Sequence, residues 1–393
     1  MDFDVVIVGG GLAGASLAAA LAASRTRVAL IERRAPPPPG AQWDSRVYTL
    51  TPASIALLER INAWQGVPPE RMTPIYDMQV FGDEGSRLDF SAYESGLPDL
   101  GATVESGRLN HALWRGLERQ KNLSLICPGV PLEIRSGESW VELQLDLARS
   151  IRAKLVVGAD GAESWVRSAA GIDARSESYD QLGVVANFAC VRSHRNVAFQ
   201  WFRRDGILAF LPLPERRVSM VWSTSQPNAR ELLALSAAAF CARVAEASRG
   251  VLGGLELLAP QAAFPLSRLV SRRIAQGRVA LIGDSAHVVH PLAGQGINLG
   301  LGDAHALADL LVEAEDPGER MLLRRFERSR AEDILALNWV THGLLRLFGT
   351  DNGVVRRIRN LGLNLTNANP VIKTLLARRA VAVGRGLHQR ETS

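Results

Sequence analysis

The hydrophobic pattern is most regular over the first 33 residues. An apolar run at Val5–Val8 is followed by glycines, an alanine- and leucine-rich segment, and a second apolar run at Val28–Ile31. Short continuous apolar runs bounded by turn residues are typical of buried strands. The pattern therefore predicts a strand, a tight turn, a helix and a second strand parallel to the first.

The turn between these strands has the spacing Gly-x-Gly-x-x-Gly at Gly9, Gly11 and Gly14. Gly9 permits a sharp turn, Gly11 leaves room for a pyrophosphate, and Gly14 allows close packing. Glu32 follows the second strand, where a carboxylate can accept hydrogen bonds from ribose hydroxyls, and we include the adjacent Arg33 as a candidate. A turn with a purely structural role would explain neither the spacing of the three glycines nor the presence of Glu32. The stretch predicts a dinucleotide bound at the helix N-terminus.

A second strand–turn–helix pattern begins at residues 154–158 and leads to Asp160-Gly161 and then Arg167. Asp160 could hold a cofactor hydroxyl or amide, or it could cap the following helix. The spacing alone favours the cap. Arg46, just beyond the dinucleotide strand, could face a phosphate or a flavin ring, or could be an ordinary surface residue.

A third pattern of this kind follows the apolar run at Val279–Ile282. The run ends in Gly283 and Asp284, and a loop leads to a helix that passes Asp303. Glycines expose backbone amides at a helix N-terminus, which suits an electron-rich ring edge or an oxyanion. The candidate residues of this loop are Pro291, Ala293, Gly294, Gln295, Gly296, Ile297 and Asn298.

Two histidines in the same loop, His287 and His290, have a spacing compatible with metal binding. A metal site needs further ligands, and the sequence offers no third one nearby. The histidines are therefore interpreted as structural, and no metal is predicted.

The middle of the chain has a different periodicity. Apolar or alternating runs cover parts of residues 183–224 with few helical segments between them, which predicts an antiparallel sheet. Residues 75–90 predict a hairpin, and residues 229–249 predict one helix. Together the patterns predict an α/β fold, α+β overall, in which a Rossmann-like domain carries an inserted antiparallel sheet.

Composition supports an ordinary globular protein. The 393 residues are 47% hydrophobic and 22% charged, and no apolar run approaches the roughly 20 residues that span a bilayer. No basic region precedes the first strand, so export is not expected. The three cysteines are far apart and are expected to be free thiols, which agrees with a cytoplasmic location.

Positive charge is concentrated at the C-terminal end. The net charge is +5, yet residues 320–393 contain fourteen Arg and Lys against five Asp and Glu. From Ile334 onward the pattern predicts apolar helices interleaved with arginines. These helices could complete the fold, or they could contact an anionic membrane surface or a partner protein. Nothing in the pattern predicts a nucleic-acid partner.

The three motifs in this order, residues 9–32, 158–167 and 283–298, resemble those of the FAD-dependent aromatic hydroxylases of the p-hydroxybenzoate hydroxylase type. The resemblance implies that Asp284 holds the ribityl or ribose hydroxyls, while Asp160 and Arg167 support the nucleotide region. It implies that Arg46 and Arg108 lie near the flavin and the ribityl-pyrophosphate. The loop 293–298 would meet the isoalloxazine edge.

Within this class, residues 286–300 are most similar to the ubiquinone-biosynthesis hydroxylases. The resemblance implies that FAD, reduced by NADH or NADPH, reacts with O₂ and hydroxylates the ring of a polyprenylated phenol through a C4a-hydroperoxide. The Pro291 carbonyl would face the substrate, and His290 is a candidate for a base. It further implies a ubiquinone-biosynthesis protein complex and peripheral contact with the inner membrane.

The expected domains are an FAD-binding domain (1–72, 101–178 and 270–333), a substrate domain (73–100 and 179–269) and a C-terminal helical region (334–393). Two alternatives remain open. One is a different flavin enzyme, such as a hydroxylase of another aromatic compound, a prenyl reductase or a halogenase. The halogenase is disfavoured because its tryptophan motif is missing. The other is a non-catalytic FAD-bound scaffold in a lipid-biosynthesis complex.

Overall fold

The computed structural model describes residues 2–82, 85–146, 149–290, 296–349 and 353–381. The strands, in chain order, are β1 (Phe3–Val8), β2 (Val28–Ile31), β3 (Val47–Leu50), β4 (Met72–Ile75), β5 (Asp77–Phe81), β6 (Arg87–Ser91), β7 (Gly101–Glu105), β8 (Leu123–Ile126), β9 (Pro131–Ser136), β10 (Val141–Leu145), β11 (Ser150–Gly158), β12 (Ala174–Cys190), β13 (Val197–Arg203), β14 (Gly206–Leu213), β15 (Arg217–Ser225), β16 (Leu255–Leu257), β17 (Ala262–Ser271), β18 (Ala275–Gln276), β19 (Val279–Leu281) and β20 (His287–Val288).

The α-helices, in the same order, are α1 (Leu12–Ala20), α2 (Pro52–Arg60), α3 (Ser106–Leu117), α4 (Trp165–Ala169), α5 (Gln226–Ala234), α6 (Ala237–Ala247), α7 (Gly296–Leu311), α8 (Arg320–Gly349), α9 (Gly353–Ala368) and α10 (Pro370–Val381).

The first sheet has a parallel centre in the order β8-β2-β1-β11-β19. Its strands β1, β2 and β11 are buried along almost their whole length, as expected when both faces of a parallel sheet are covered. Val8 of β1 lies beside Ile31 and Gly158, and Leu281 lies beside Gly158. The carboxyl ends of four neighbouring strands therefore end at one level, where the crevice of an open α/β sheet binds ligands.

The second sheet is mostly antiparallel, in the order β20-β17-β12-β15-β14-β13-β5-β6. Strands β12 to β15 pair in antiparallel fashion, as the sequence predicted, and the predicted hairpin β5–β6 joins this sheet through a parallel pairing of β5 with β13. Buried aromatic residues such as Trp222 and Phe210 form its core against α5 and α6.

A small three-stranded sheet, β3-β7-β4, was not predicted from the sequence. It adjoins the second sheet, because the Thr103 hydroxyl on β7 donates a 2.5 Å hydrogen bond to the Pro212 carbonyl on β14. Thr51, which follows β3, caps α2: its side chain accepts a hydrogen bond from the amide of Ser54, and Pro52 occupies the first turn.

The C-terminal helix α9 covers the edge of the second sheet that is formed by β6. On α9 the side-chain carbonyls of Asn364 and Asn367 accept hydrogen bonds from the backbone amides of Arg87 and Asp89 on the edge strand β6, at 3.3 and 3.0 Å. Pairing these amides protects a strand edge that could otherwise pair with another chain. The helical prediction for this region is confirmed for the described residues up to Val381, and residues 350–352 and 382–393 lie outside the described part of the chain.

Two details of the sequence prediction were wrong or incomplete. The single helix predicted over 229–249 is two helices, because Leu235 is extended and the Ser236 side chain accepts a hydrogen bond from Ala239 N to start α6. Ile334, from which apolar helices were predicted, lies inside α8, which begins earlier at Arg320. The fold class, a Rossmann-like domain with an inserted sheet and a helical C-terminal region, is confirmed.

Candidate active site

The turn after β1 is pressed against the turn after β11. Gly9 has a φ of +106°, and a Cβ there would lie 2.3 Å from the carbonyl oxygen of Ala159. A Cβ on Gly14 would lie 2.0 Å from the carbonyl oxygen of Gly9. Only glycine permits these approaches, so the predicted roles of Gly9 in turning and of Gly14 in packing have a direct steric basis.

Gly11 is different, because a Cβ at this position would meet no protein atom within 4 Å. It precedes α1, whose first-turn amides have no partners within the helix and carry the positive end of the helix dipole. The open space in front of the helix N-terminus is where a pyrophosphate would bind. These residues fit a dinucleotide.

Glu32 and Trp114 fix the middle of this turn. The Glu32 carboxylate accepts hydrogen bonds from the amides of Gly10 at 2.6 Å and Arg33 at 2.7 Å. The Trp114 indole on α3 donates to the Gly10 carbonyl at 2.8 Å. Sequence reasoning missed Trp114, because its contact with Gly10 joins residues that are 104 positions apart. The Arg33 side chain is exposed.

Asp160 and Arg167 bind the protein's own backbone. Asp160 accepts hydrogen bonds from Val166 N, in the first turn of α4, at 3.0 Å and from the Ser164 hydroxyl at 2.5 Å. The N-cap of α4 is Ser164, whose hydroxyl accepts a hydrogen bond from Arg167 N at 2.9 Å, so Asp160 supports the cap and does not form it. Arg167 donates to the carbonyls of Ser285 and Ala162, both at 2.9 Å. Arg167 thus joins the second motif to the third, while a direct cofactor contact for either residue stays a prediction.

Asp284 lies in the turn that follows β19, at the carboxyl edge of the first sheet. Its side chain is exposed there, yet the protein around it desolvates the carboxylate and raises its pKa above the ordinary value, with Arg46 and His287 acting in the opposite direction. Tyr48, which contacts Arg46, also has a raised pKa because of burial. The structure therefore places Asp284 and Arg46 near each other, and the predicted contact of Asp284 with ribityl or ribose hydroxyls stays a prediction.

A buried ionic network holds the turn that carries Asp284. Asp303 on α7 accepts hydrogen bonds from Gly283 N at 2.9 Å, from His287 Nε2 at 2.6 Å and from Arg330 Nε at 2.7 Å. Burial alone would raise the pKa of the Asp303 carboxyl, but His287 and Arg330 lower it below its ordinary value. Sequence reasoning missed this network, because Asp303 and Arg330 lie on different helices.

Arg108 is bound to Glu105. Its guanidinium donates to the buried Glu105 carboxylate at 2.8 Å and to the Gly40 carbonyl at 2.7 Å. Glu105 also accepts from Arg71 at 3.3 Å and from Asp44 N at 2.7 Å. Arg108 therefore secures the loop that leads to Arg46, and its predicted contact with the ribityl-pyrophosphate stays a prediction.

The start of α7 is tied to the three-stranded sheet. The Asn298 amide donates to the Thr49 carbonyl and accepts from Thr51 N, both at 2.9 Å. Gly296 and Ile297 are the first residues of the helix. Four of the loop candidates, Pro291, Ala293, Gly294 and Gln295, lie outside the described residues.

His287 and His290 have different surroundings. His287 pairs with Asp303, whereas His290 is buried between Gln181, 3.3 Å from its Nε2, and the ring of Tyr179. Burial lowers the pKa of His290 to about 4, so its imidazole is neutral at pH 7. Within the described ranges, no three His, Cys, Asp or Glu residues cluster in a way that could hold a metal.

Gly11→Ala tests the dinucleotide site. The backbone of Gly11 has ordinary angles and its Cβ position is free of protein atoms, so we expect the fold to be unchanged while the added methyl group obstructs the pyrophosphate. FAD affinity, measured by titrating the apoprotein, should fall at least about tenfold, or 1.4 kcal/mol. Gly40→Ala is the control, since a Cβ there also meets open space. Equal affinity in both variants would refute the assignment.

Asp303→Asn tests the buried network. The substitution leaves the fully buried Arg330 without its main counter-charge, so we expect a loss of about 3–5 kcal/mol in free energy of unfolding. Asp333→Asn, which removes the more exposed partner of Arg330, should cost about 1 kcal/mol in free energy of unfolding.

The stabilisation by Asp303 should also depend on pH. Because the folded pKa of Asp303 is lowered, its contribution to the free energy of unfolding is present above about pH 4 and is lost as the pH falls through the lowered value. Denaturant unfolding at pH 7 measures the two losses, and repeating it at about pH 2–3 measures the pH dependence. Equal losses in the two variants at pH 7 would contradict the assignment.

Comparisons with known proteins agree with this geometry. A family model described as FAD binding domain matches residues 139–337, and one described as FAD dependent oxidoreductase matches residues 4–47. The chain is 36% identical to 3-demethoxyubiquinol 3-hydroxylase of Escherichia coli, over 94% of this chain and 96% of that protein. It is also 36% identical to ubiquinone hydroxylase UbiL of Rhodospirillum rubrum, over 96% and 89% of the two chains.

The fold is shared with a solved structure of lower identity. The p-nitrophenol 4-monooxygenase PnpA of Pseudomonas putida superposes with a TM-score of 0.79 at 18% identity, covering 98% of this chain and 99% of that one. The glycine turn at α1, the carboxylate of Asp284 and the relatives that share nearly the full length lead to one conclusion. The chain belongs to the FAD-dependent aromatic hydroxylases, and within them to the ubiquinone-biosynthesis hydroxylase family.

Proposed function

We propose that this protein hydroxylates the aromatic ring of a polyprenylated phenol in ubiquinone biosynthesis, with FAD as cofactor and NADH or NADPH and O₂ as co-substrates. The observation that carries the proposal is an apolar cavity of about 120 Å³ between the second sheet, the three-stranded sheet and α10. It is lined by Thr49, Thr51, Ile75, Met78, Phe90, Leu100, Ala198, Phe199, Gln200, Ala209, Leu211, Leu376 and Ala377.

The cavity adjoins the element expected to carry the flavin edge. Thr49 and Thr51 line the cavity, and their backbones bond to Asn298 in the first turn of α7. A phenolic ring in this cavity would therefore lie close to the helix N-terminus that the family uses for its flavin. The proposed cofactor site and the apolar cavity, which suits a phenolic ring, are therefore neighbours.

The described residues would act by binding, orienting and excluding water. The N-terminus of α1 at Gly11 would hold the pyrophosphate, and Asp284, held in place by Asp303, would bind hydroxyl groups of the cofactor. When bound, FAD supplies the redox chemistry, taking electrons from the nicotinamide donor and activating O₂. The apolar walls keep water from the reacting ring, which favours transfer of oxygen to substrate.

We further propose that α9 and α10 contact an anionic membrane surface. Residues 353–381 contain six Arg and Lys and no Asp or Glu. The apolar side chains of Val371 and Leu375 on α10 are 75% and 66% exposed, and Arg379 beside them is also exposed. Exposed apolar and basic side chains on one helix suit the surface of a bilayer. No helix within the described ranges has the length and apolar character to cross one.

A reaction in ¹⁸O₂ tests the chemistry. With the FAD-loaded protein, a polyprenylated phenol and NADH or NADPH, we expect one labelled oxygen atom per molecule of hydroxylated product. The flavin-depleted variant Asp284→Ala should give none. Consumption of the nicotinamide without labelled product would favour a reductase, and failure of either donor to bleach the flavin would favour a non-catalytic scaffold.

Vesicle binding tests the membrane contact. Replacing Val371 and Leu375 by serine should lower the affinity for vesicles of anionic phospholipid by roughly 100-fold, because each side chain loses a burial worth about 1.5 kcal/mol or more and about 1.4 kcal/mol corresponds to a factor of ten. Leu132→Ser, at a 59% exposed apolar residue on β9, should bind like the wild type. Added salt should weaken wild-type binding. If the double variant binds unchanged, the surface is better explained as a contact with a protein of a ubiquinone-biosynthesis complex.

A further inference from the structure

Two buried oxygen atoms in the wall of the apolar cavity have no hydrogen-bond partner among the described residues. One is Oε1 of Gln200 on β13, whose side chain is only 5% exposed. The other is Oγ1 of Thr49 on β3. Both residues line the cavity, and they come from two different sheets.

The other lining residues make these two atoms unusual. Apart from Thr51, they carry apolar side chains, and the hydroxyl of Thr51 is bonded to Ser54 at 3.2 Å. Most buried polar atoms in folded proteins have a partner, because an unpaired one retains its desolvation cost. An amide and a hydroxyl left unpaired beside a cavity indicate that the partner is a ligand with a polar group of its own.

We infer that Gln200 and Thr49 bind the phenolic hydroxyl group of the substrate. Gln200 Oε1 accepts a hydrogen bond from the phenol O–H, and the Thr49 hydroxyl donates one to the phenol oxygen. The inference rests on the proposed function and adds the residues that orient the ring. Since the Thr49 backbone is bonded to Asn298, this contact fixes the hydroxyl relative to the start of α7, and thereby determines which ring carbon faces the flavin.

Binding of a matched pair of ligands tests the inference. The probes are 2-geranylphenol and geranylbenzene, which differ only in the hydroxyl group, and their affinities for the FAD-loaded protein are read from the flavin absorbance change. We expect the wild type to prefer the phenol at least tenfold, because a site built around a hydroxyl rejects an analogue that lacks it. Gln200→Leu should bind both probes with similar affinity and should bind geranylbenzene no more weakly than the wild type does.

Two threonine variants provide a second measurement with a built-in control. Thr73 on β4 belongs to the same three-stranded sheet as Thr49 and also has a buried Oγ1 without a partner in the described chain, but it is not a lining residue. Thr49→Val should reduce the preference for the phenol, whereas Thr73→Val should leave it unchanged. In turnover, Gln200→Leu and Thr49→Val should raise KM and divert NAD(P)H oxidation toward H₂O₂, since a misoriented ring accepts oxygen less efficiently.

The outcomes separate this inference from the proposed function. If the wild type neither binds nor hydroxylates the phenol, the proposed function fails. If it hydroxylates the phenol while Gln200→Leu and Thr49→Val keep the wild-type preference, only the inference is overturned. Should Gln200→Leu fail to fold, the comparison of Thr49→Val with Thr73→Val decides.

Discussion

The site depends on backbone segments that touch at the carboxyl edge of the first sheet. The turns after β1 and β11 approach so closely that a methyl group on Gly9 would overlap the carbonyl oxygen of Ala159. Helix α1 packs equally tightly on the turn before it, because a methyl group on Gly14 would overlap the carbonyl oxygen of Gly9. At the turn after β19, a Cβ on Gly283 would lie 3.1 Å from the side chain of Ala13, so this turn is packed against α1 as well. Segments that are distant in sequence thereby form one rigid wall of the crevice.

Electrostatics reinforces this steric constraint. The Asp303 carboxylate lies at the centre of a fully buried group of charges, and it bonds to the amide of Gly283 directly. An ionic network in the interior is costly to break, because any member left unpaired keeps its desolvation penalty. Asp303, His287 and Arg330, which are buried, therefore hold the turn that carries Asp284.

The polar residues around the crevice fall into two groups. Asp160, Arg167, Arg108 and the Asn298 side chain use their hydrogen bonds on the protein itself. In contrast, Asp284 is exposed to the crevice, and Gln200 and Thr49 retain unpaired oxygen atoms beside the cavity. The first group builds the site and the second is available to ligands. A motif in the sequence does not distinguish these roles, since both require the same residue types.

The sequence by itself determined the nucleotide-binding half of the protein. Glycine spacing, apolar runs and the residues that follow them are local features, so the strand–turn–helix units and the order of the three motifs could be predicted from them. Only the tertiary structure decided what depends on contacts between distant segments. The three-stranded sheet, the pairing of Asp303 with Arg330, and the cavity that brings Thr49 to Gln200 join residues 26 to 151 positions apart. Such contacts form because distant segments pack together and bury their side chains, and a local sequence pattern contains no information about which distant segments will meet.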